Sequence, residues 1–141
     1  MSDAKITNEQ FRDVAPTRLS FLEDKGFQRM MGIEETTPTG SSLVYIGKNV
    51  GFVFSLDVRD QCVDAQVVRV RNGKIARNSD GGYSSDLFTH LVNNAGYRGK
   101  SAVSRDMSEG GQLDRMIAAW VELIQDAGQS LLSDRSDALP T

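Results

Sequence analysis

The sequence predicts an α+β fold: an antiparallel sheet of four to five strands, with an N-terminal helix and two C-terminal helices packed on it. Three observations predict it. Val50, Phe52, Phe54, Leu56 and Val58 place an apolar residue at every second position, the period of a strand with one buried face. Asn72-Gly73 joins two strand-like runs with residues that tolerate the positive φ of a tight hairpin. Leu113, Met116, Ile117, Trp120, Leu123, Ile124 and Ala127 recur with the helical period and form the best amphipathic stripe in the chain.

In chain order, Thr7-Asn-Glu-Gln10 has the spacing of a capping box, in which a hydroxyl and an amide side chain satisfy each other's free amide hydrogens at a helix start. Phe11, Val14, Arg18, Leu19 and Leu22 follow at near-helical spacing, and Gly26 supplies a left-handed stop. Pro16 removes an amide donor, so the helix is expected to kink or to restart near Thr17. Phe27, Met30, Met31 and Ile33 suggest a first strand, and Thr36-Thr-Pro-Thr-Gly-Ser-Ser42 reads as a turn.

A hairpin then pairs Leu43–Ile46 with Val50–Val58 across Gly47-Lys48-Asn49. Ser55, Asp57 and Arg59 fall on the wetter face, and Arg59-Asp60-Gln61 reverses the chain, so these charges mark a strand edge and turn. From Cys62 to Arg71 the alternation breaks at Val67-Val68, which predicts a bulge or burial on both faces. Lys74–Arg77 returns as a short last strand. Asn78–Ser85 is a polar connector whose serines cap a helix through Leu87, Phe88 and Leu91, ending by Gly96. Gly128 ends or bends the last helix.

The 141 residues suit a single domain, 1–141, with short flexible ends at about 1–6 and 134–141. The formal net charge is −3, so nucleic acid is repelled at long range unless basic residues are segregated onto one face. Cys62, the single cysteine, argues for a reducing compartment, and no apolar run approaches the ~18 residues of a membrane span. A cytoplasmic location, with no membrane contact, is expected.

Catalytic motifs are incomplete. Gly96-Tyr-Arg-Gly-Lys-Ser101 ends like a phosphate-binding loop, but Asn94 stands where the first glycine belongs and the segment follows an expected helix. Asn78–Asp86 offers oxygen ligands without the calcium-loop alternation, and Thr89 replaces the bidentate carboxylate. His90 is the only histidine, too few for a protein-only metal site, and Cys62 needs a base to act as a nucleophile. Asp57, Asp60 and Asp64 offer the paired acids of carboxylate hydrolases, although Arg59 among them favours mutual neutralisation. Arg69, Arg71, Lys74 and Arg77 cluster about Asn72-Gly73 without stacking aromatics, a pattern that keeps a sheet edge soluble. The expectation is no enzyme activity, no catalytic residues, no metal, no cofactor and no direct nucleic-acid contact.

Phe21-Leu-Glu-Asp-Lys-Gly-Phe27, Val44-Tyr45, Val53-Phe-Ser-Leu-Asp-Val-Arg59 and the tail Ala127-Gly-Gln-Ser-Leu-Leu-Ser-Asp134 together resemble small bacterial immunity proteins of polymorphic-toxin and contact-dependent-inhibition systems. The likeness spans about residues 8 to 139 and departs from the pattern at Ser133, where a glycine is expected. It implies a protein that binds one toxin domain and blocks its action, and it carries no catalytic signature. Beside it stands the reading from the residues: an acidic domain in which Asp57, Arg59, Asp60 and Asp64 form a partner-binding edge, since opposite charge speeds encounter with a basic partner. The alternatives are a homo-oligomeric regulatory or scaffold module, such as a homodimer, and a carboxylate-dependent hydrolase.

Overall fold

The computed structural model describes residues 6–76, 85–86, 113–127 and 129–133, and these form an α+β unit with helices on one face of an antiparallel sheet. Helix α1 (Asn8–Arg18) opens on the expected capping box: the Thr7 hydroxyl accepts from the Gln10 amide while the Gln10 side chain accepts from Thr7 N–H, each at 3.1 Å. Pro16 lies inside the helix, which breaks at Leu19 and restarts as α2 (Ser20–Asp24). Phe11, Ala15, Leu19 and Leu22 line the buried side. Gly26, at φ +98°, ends α2; its N–H bonds Glu23 C=O, and the N–H of Phe27 reaches back to Leu22 C=O. That pairing satisfies two terminal carbonyls and folds Phe27 onto Leu22 in the core.

The first strand is shorter than its apolar residues suggest. Only Gln28–Arg29 (β1) pairs, after which Met31–Ile33 form a 3-10 turn that leaves Met31 63% and Ile33 49% exposed. The stretch expected as a turn is itself a small hairpin, β2 (Thr36–Thr37) against the start of β3 (Gly40–Ile46). β4 (Val50–Asp57) and β5 (Cys62–Arg71) continue the meander, and β6 (Lys74–Ala76) returns across Asn72-Gly73, whose φ values of 54° and 75° match the expected hairpin turn. The main path is β1-β3-β4-β5-β6, so β4 is an interior strand and its acidic residues stand at a strand end, not along an edge. Ser85, a serine expected to cap a helix, instead forms β7 (Ser85–Asp86) on β5, with Ser85 opposite Val67 and Asp86 opposite Gln66. The helix expected beyond it, His90, residues 78–84 and 87–89, the 96–101 loop, Arg77, Gly128 and the ends 1–5 and 134–141 lie outside the described residues.

Val50, Phe52, Phe54 and Leu56 face the main core, with Leu43, Tyr45, Val63, Ala65 and Val67 beside them; Val58, in the turn after β4, packs against it partly buried. Phe52 stacks at 6.3 Å from Phe54, and Phe27 meets Phe52 edge-on at 5.4 Å. α1 and the long helix α3 (Leu113–Ala127) cover this face, α3 through Leu113, Met116, Ile117, Trp120, Leu123 and Ile124. The short α4 (Gln129–Leu132) adds Leu131 and Leu132. The break at Val67-Val68 is burial on both faces: the β4–β5 register runs unbroken from Val50↔Arg69 to Asp57↔Cys62. Val67 joins the main core, while Val68 joins Val44, Ile46 and Val70 in a smaller cluster behind the sheet.

Candidate functional site

The register that buries one face of β4 sends Ser55 and Asp57 to the other. Asp57 opposes Cys62 and Asp64 opposes Ser55, so the two carboxylates are diagonal neighbours on the second face, at the end where the chain turns. Asp57 is half-buried and Asp64 exposed, and Arg59 and Asp60 project from the turn itself. The structure therefore brings all four residues to one end of the sheet.

Two side chains fix that turn. Asp57 Oδ1 accepts the Asp60 N–H at 3.0 Å, closing the reversal from within. Gln61, held at φ 55°, clasps the backbone of Ile6 with both ends of its amide: Ile6 N–H donates to Oε1 at 2.6 Å, and Nε2 donates to Ile6 C=O at 3.0 Å and Val58 C=O at 2.8 Å. Ile6 is 4% exposed, so the clasp joins the core to the acidic end. Local sequence gave no sign of it, because the partners are 55 residues apart.

Cys62 is a free, half-buried thiol whose pKa is pushed up, by burial first and then by the negative charges of Asp64, Asp57 and Asp60. Its neighbours disfavour the thiolate a nucleophile needs. Among the described residues no three His, Cys, Asp or Glu side chains gather as metal ligands. No described helix is long and apolar enough to cross a membrane.

A second constellation, unforeseen from the sequence, lies at the outer edge of β3. The Glu34 side chain is 0% exposed and joins two arginines: Arg12 of α1 at 3.1 Å, and Arg29 of β1 through Nε and Nη2, each at 3.0 Å. Its Oε2 also accepts the Val44 N–H at 3.0 Å, while Arg12 Nη1 donates to Ser42 C=O at 3.2 Å. β1 pairs with one end of β3 and β2 with the other, and in the gap between them a carboxylate and a guanidinium take the places of a strand's carbonyl and amide. Burial works to raise the Glu34 pKa, but the hydrogen bonds from Arg29 and Val44 and the charges of both arginines hold it below the ordinary glutamate value. Nearby, burial pushes the Tyr45 phenol up to about 12, and its hydroxyl has no hydrogen-bond partner among the described residues.

Compared with known protein families, characterised proteins and solved structures, the chain has no match.

Proposed function

We propose that this chain is a non-catalytic protein-binding domain that acts in the cytoplasm as an immunity protein, neutralising one cognate bacterial toxin domain through the Asp57–Asp64 end of its sheet. The observation that carries this reading is the pre-formed acidic end. Asp57, Asp60 and Asp64 sit with Arg59 on a turn already fixed by Gln61 and Asp57, so docking costs little ordering of the backbone. Such a charge cluster accelerates encounter with a basic surface and selects partners more than it adds affinity.

The test pairs the protein with the toxin-like domain specified by its neighbouring coding region and follows association rates over a salt series. Asp60→Lys with Asp64→Lys should slow association and flatten its salt dependence, while costing within about 0.5 kcal/mol of stability because both side chains are exposed. Equal rates at low salt would remove the acidic end from the interface. Failure of the domain to bind or to be neutralised would sink the toxin reading itself. Turnover of a hydrolase substrate, abolished in Asp57→Asn and Asp64→Asn, would favour the carboxylate enzyme instead.

A second reading, a homo-oligomeric module, is favoured by Met31 and Ile33, the exposed large apolar residues of the described chain. They stand on a turn whose next residue, Glu34, is anchored by two arginines. On that reading sedimentation shows mass rising with concentration, and Met31→Lys with Ile33→Lys returns the chain to a monomer. Wild type sedimenting as a monomer at every concentration would remove it.

A further inference from the structure

We propose that the end of the sheet opposite the acidic turn binds the phosphodiester backbone of nucleic acid. Two turns meet there. Gly47-Lys48-Asn49 joins β3 to β4, Asn72-Gly73 joins β5 to β6, and the Val70 N–H donates to Asn49 C=O at 2.9 Å, tying the first turn to β5 just ahead of the second. The register brings Arg69 opposite Val50 and Arg71 opposite Lys74, so Lys48, Arg69, Arg71 and Lys74 collect at this end. Lys48, Arg71, Asn72, Gly73 and Lys74 are exposed, and Arg69 is half-buried.

Arg71 and Lys74 form a directly opposed pair of like charges, an arrangement that disfavours the hairpin by itself and is relieved by an anion between them. The three carboxylates of the acidic turn do not cancel this local field. The 10 residues of β5 separate the two ends by about 30 Å, several times the ~8 Å screening length at physiological ionic strength. Segregation of basic residues is the condition under which an acidic protein still holds nucleic acid at contact.

The chemistry of the tip favours phosphate over an acidic protein. Phosphate oxygens are met by cations, side-chain amides and backbone N–H groups, and this tip offers exposed cations, the Asn72 amide, and a glycine that leaves the backbone open to close approach. The exposed apolar residues Met31 and Ile33 stand instead beside Glu34, at the outer edge of β3. With no aromatic among the tip residues, the expected mode is contact with the backbone and no preference for sequence.

The inference does not rest on the toxin reading, and its experiment needs no toxin. Fluorescence anisotropy of labelled single-stranded and duplex oligonucleotides, titrated with the full chain at several salt concentrations, should show binding whose log K falls with log salt at a slope of about −2 to −4, as three or four phosphate contacts require. Arg71→Glu with Lys74→Glu should weaken binding by about a hundredfold at low salt, and Arg71→Gln with Lys74→Gln by less. Asp60→Lys with Asp64→Lys, at the far end, should leave the slope unchanged. Thermal unfolding confirms that each variant is folded, and the glutamine pair keeps the test valid if the glutamate pair is not. No binding at the lowest salt, or equal binding by both Arg71/Lys74 pairs and wild type, overturns the proposal. Tighter binding of polyglutamate than of either oligonucleotide also overturns it, and assigns the tip to an acidic protein.

Discussion

Glu34→Ala is expected to destabilise the fold by about 2–4 kcal/mol, somewhat below the ~3–5 kcal/mol of breaking a fully buried pair, because the Arg12 and Arg29 side chains stay 28% and 20% exposed. The side chain is 0% exposed and holds Arg12, Arg29 and the Val44 N–H, so its loss strands two guanidinium groups and a sheet amide together. Urea unfolding of wild type and variant at neutral pH measures the difference. Replacing the trio together, Arg12→Met, Arg29→Met and Glu34→Leu, should cost less than the single change, because no charge is then left buried without its partner. A midpoint unchanged in Glu34→Ala would show that the trio contributes nothing net. The pH dependence has a definite sign. The folded-state carboxyl titrates below its ordinary value, so its stabilisation is complete above the ordinary glutamate range and is lost as pH falls through the folded value. Glu34→Gln should flatten that acid limb.

Trp120→Ala is expected to cost about 3–5 kcal/mol, and Trp120→Phe about 1–3 kcal/mol, both read from denaturant midpoints. The indole is 3% exposed within the apolar stripe of α3, and its Nε1–H donates to the Val63 carbonyl at 2.7 Å. Alanine removes both the volume and the bond. Phenylalanine keeps most of the packing and orphans a buried carbonyl, so the difference between the two variants divides the effect into its parts. Equal losses would mean that the packing phenylalanine retains is negligible beside the hydrogen bond.

What the sequence made legible depended on whether a feature is local. The Thr7–Gln10 box, the Gly26 stop, the alternation of β4, the Asn72-Gly73 turn and the α3 stripe each lie within a few residues, and each is found where its pattern places it. The acidic end was legible for the same reason: once Val50 to Leu56 face inward, Asp57 cannot. Glu34 was hidden by its neighbour. Ile33 reads as an inward residue, which by alternation turns Glu34 outward; the 3-10 turn reverses both, leaving Ile33 49% exposed and burying the carboxylate. The partners that make this possible lie 22 and 5 residues away in sequence, beyond any local period. Ser85 shows the other kind of miss, where a residue suited to cap a helix was recruited by the open flank of β5.

The divided flanks of the sheet bear on how copies of the chain behave when crowded. A flat, uninterrupted outer strand is a template on which another chain can add itself, and repeated addition builds fibres. Here the outer side of β3 is shared between two strands of two residues each, and the ladder positions between them are filled by charged side chains and backbone bonds. An incoming strand would find its hydrogen-bonding groups engaged and would have to displace a buried carboxylate to continue in register. The ionic trio thus also closes this flank of β3 to strand addition, and acid weakens that closure at the same step as it weakens the fold.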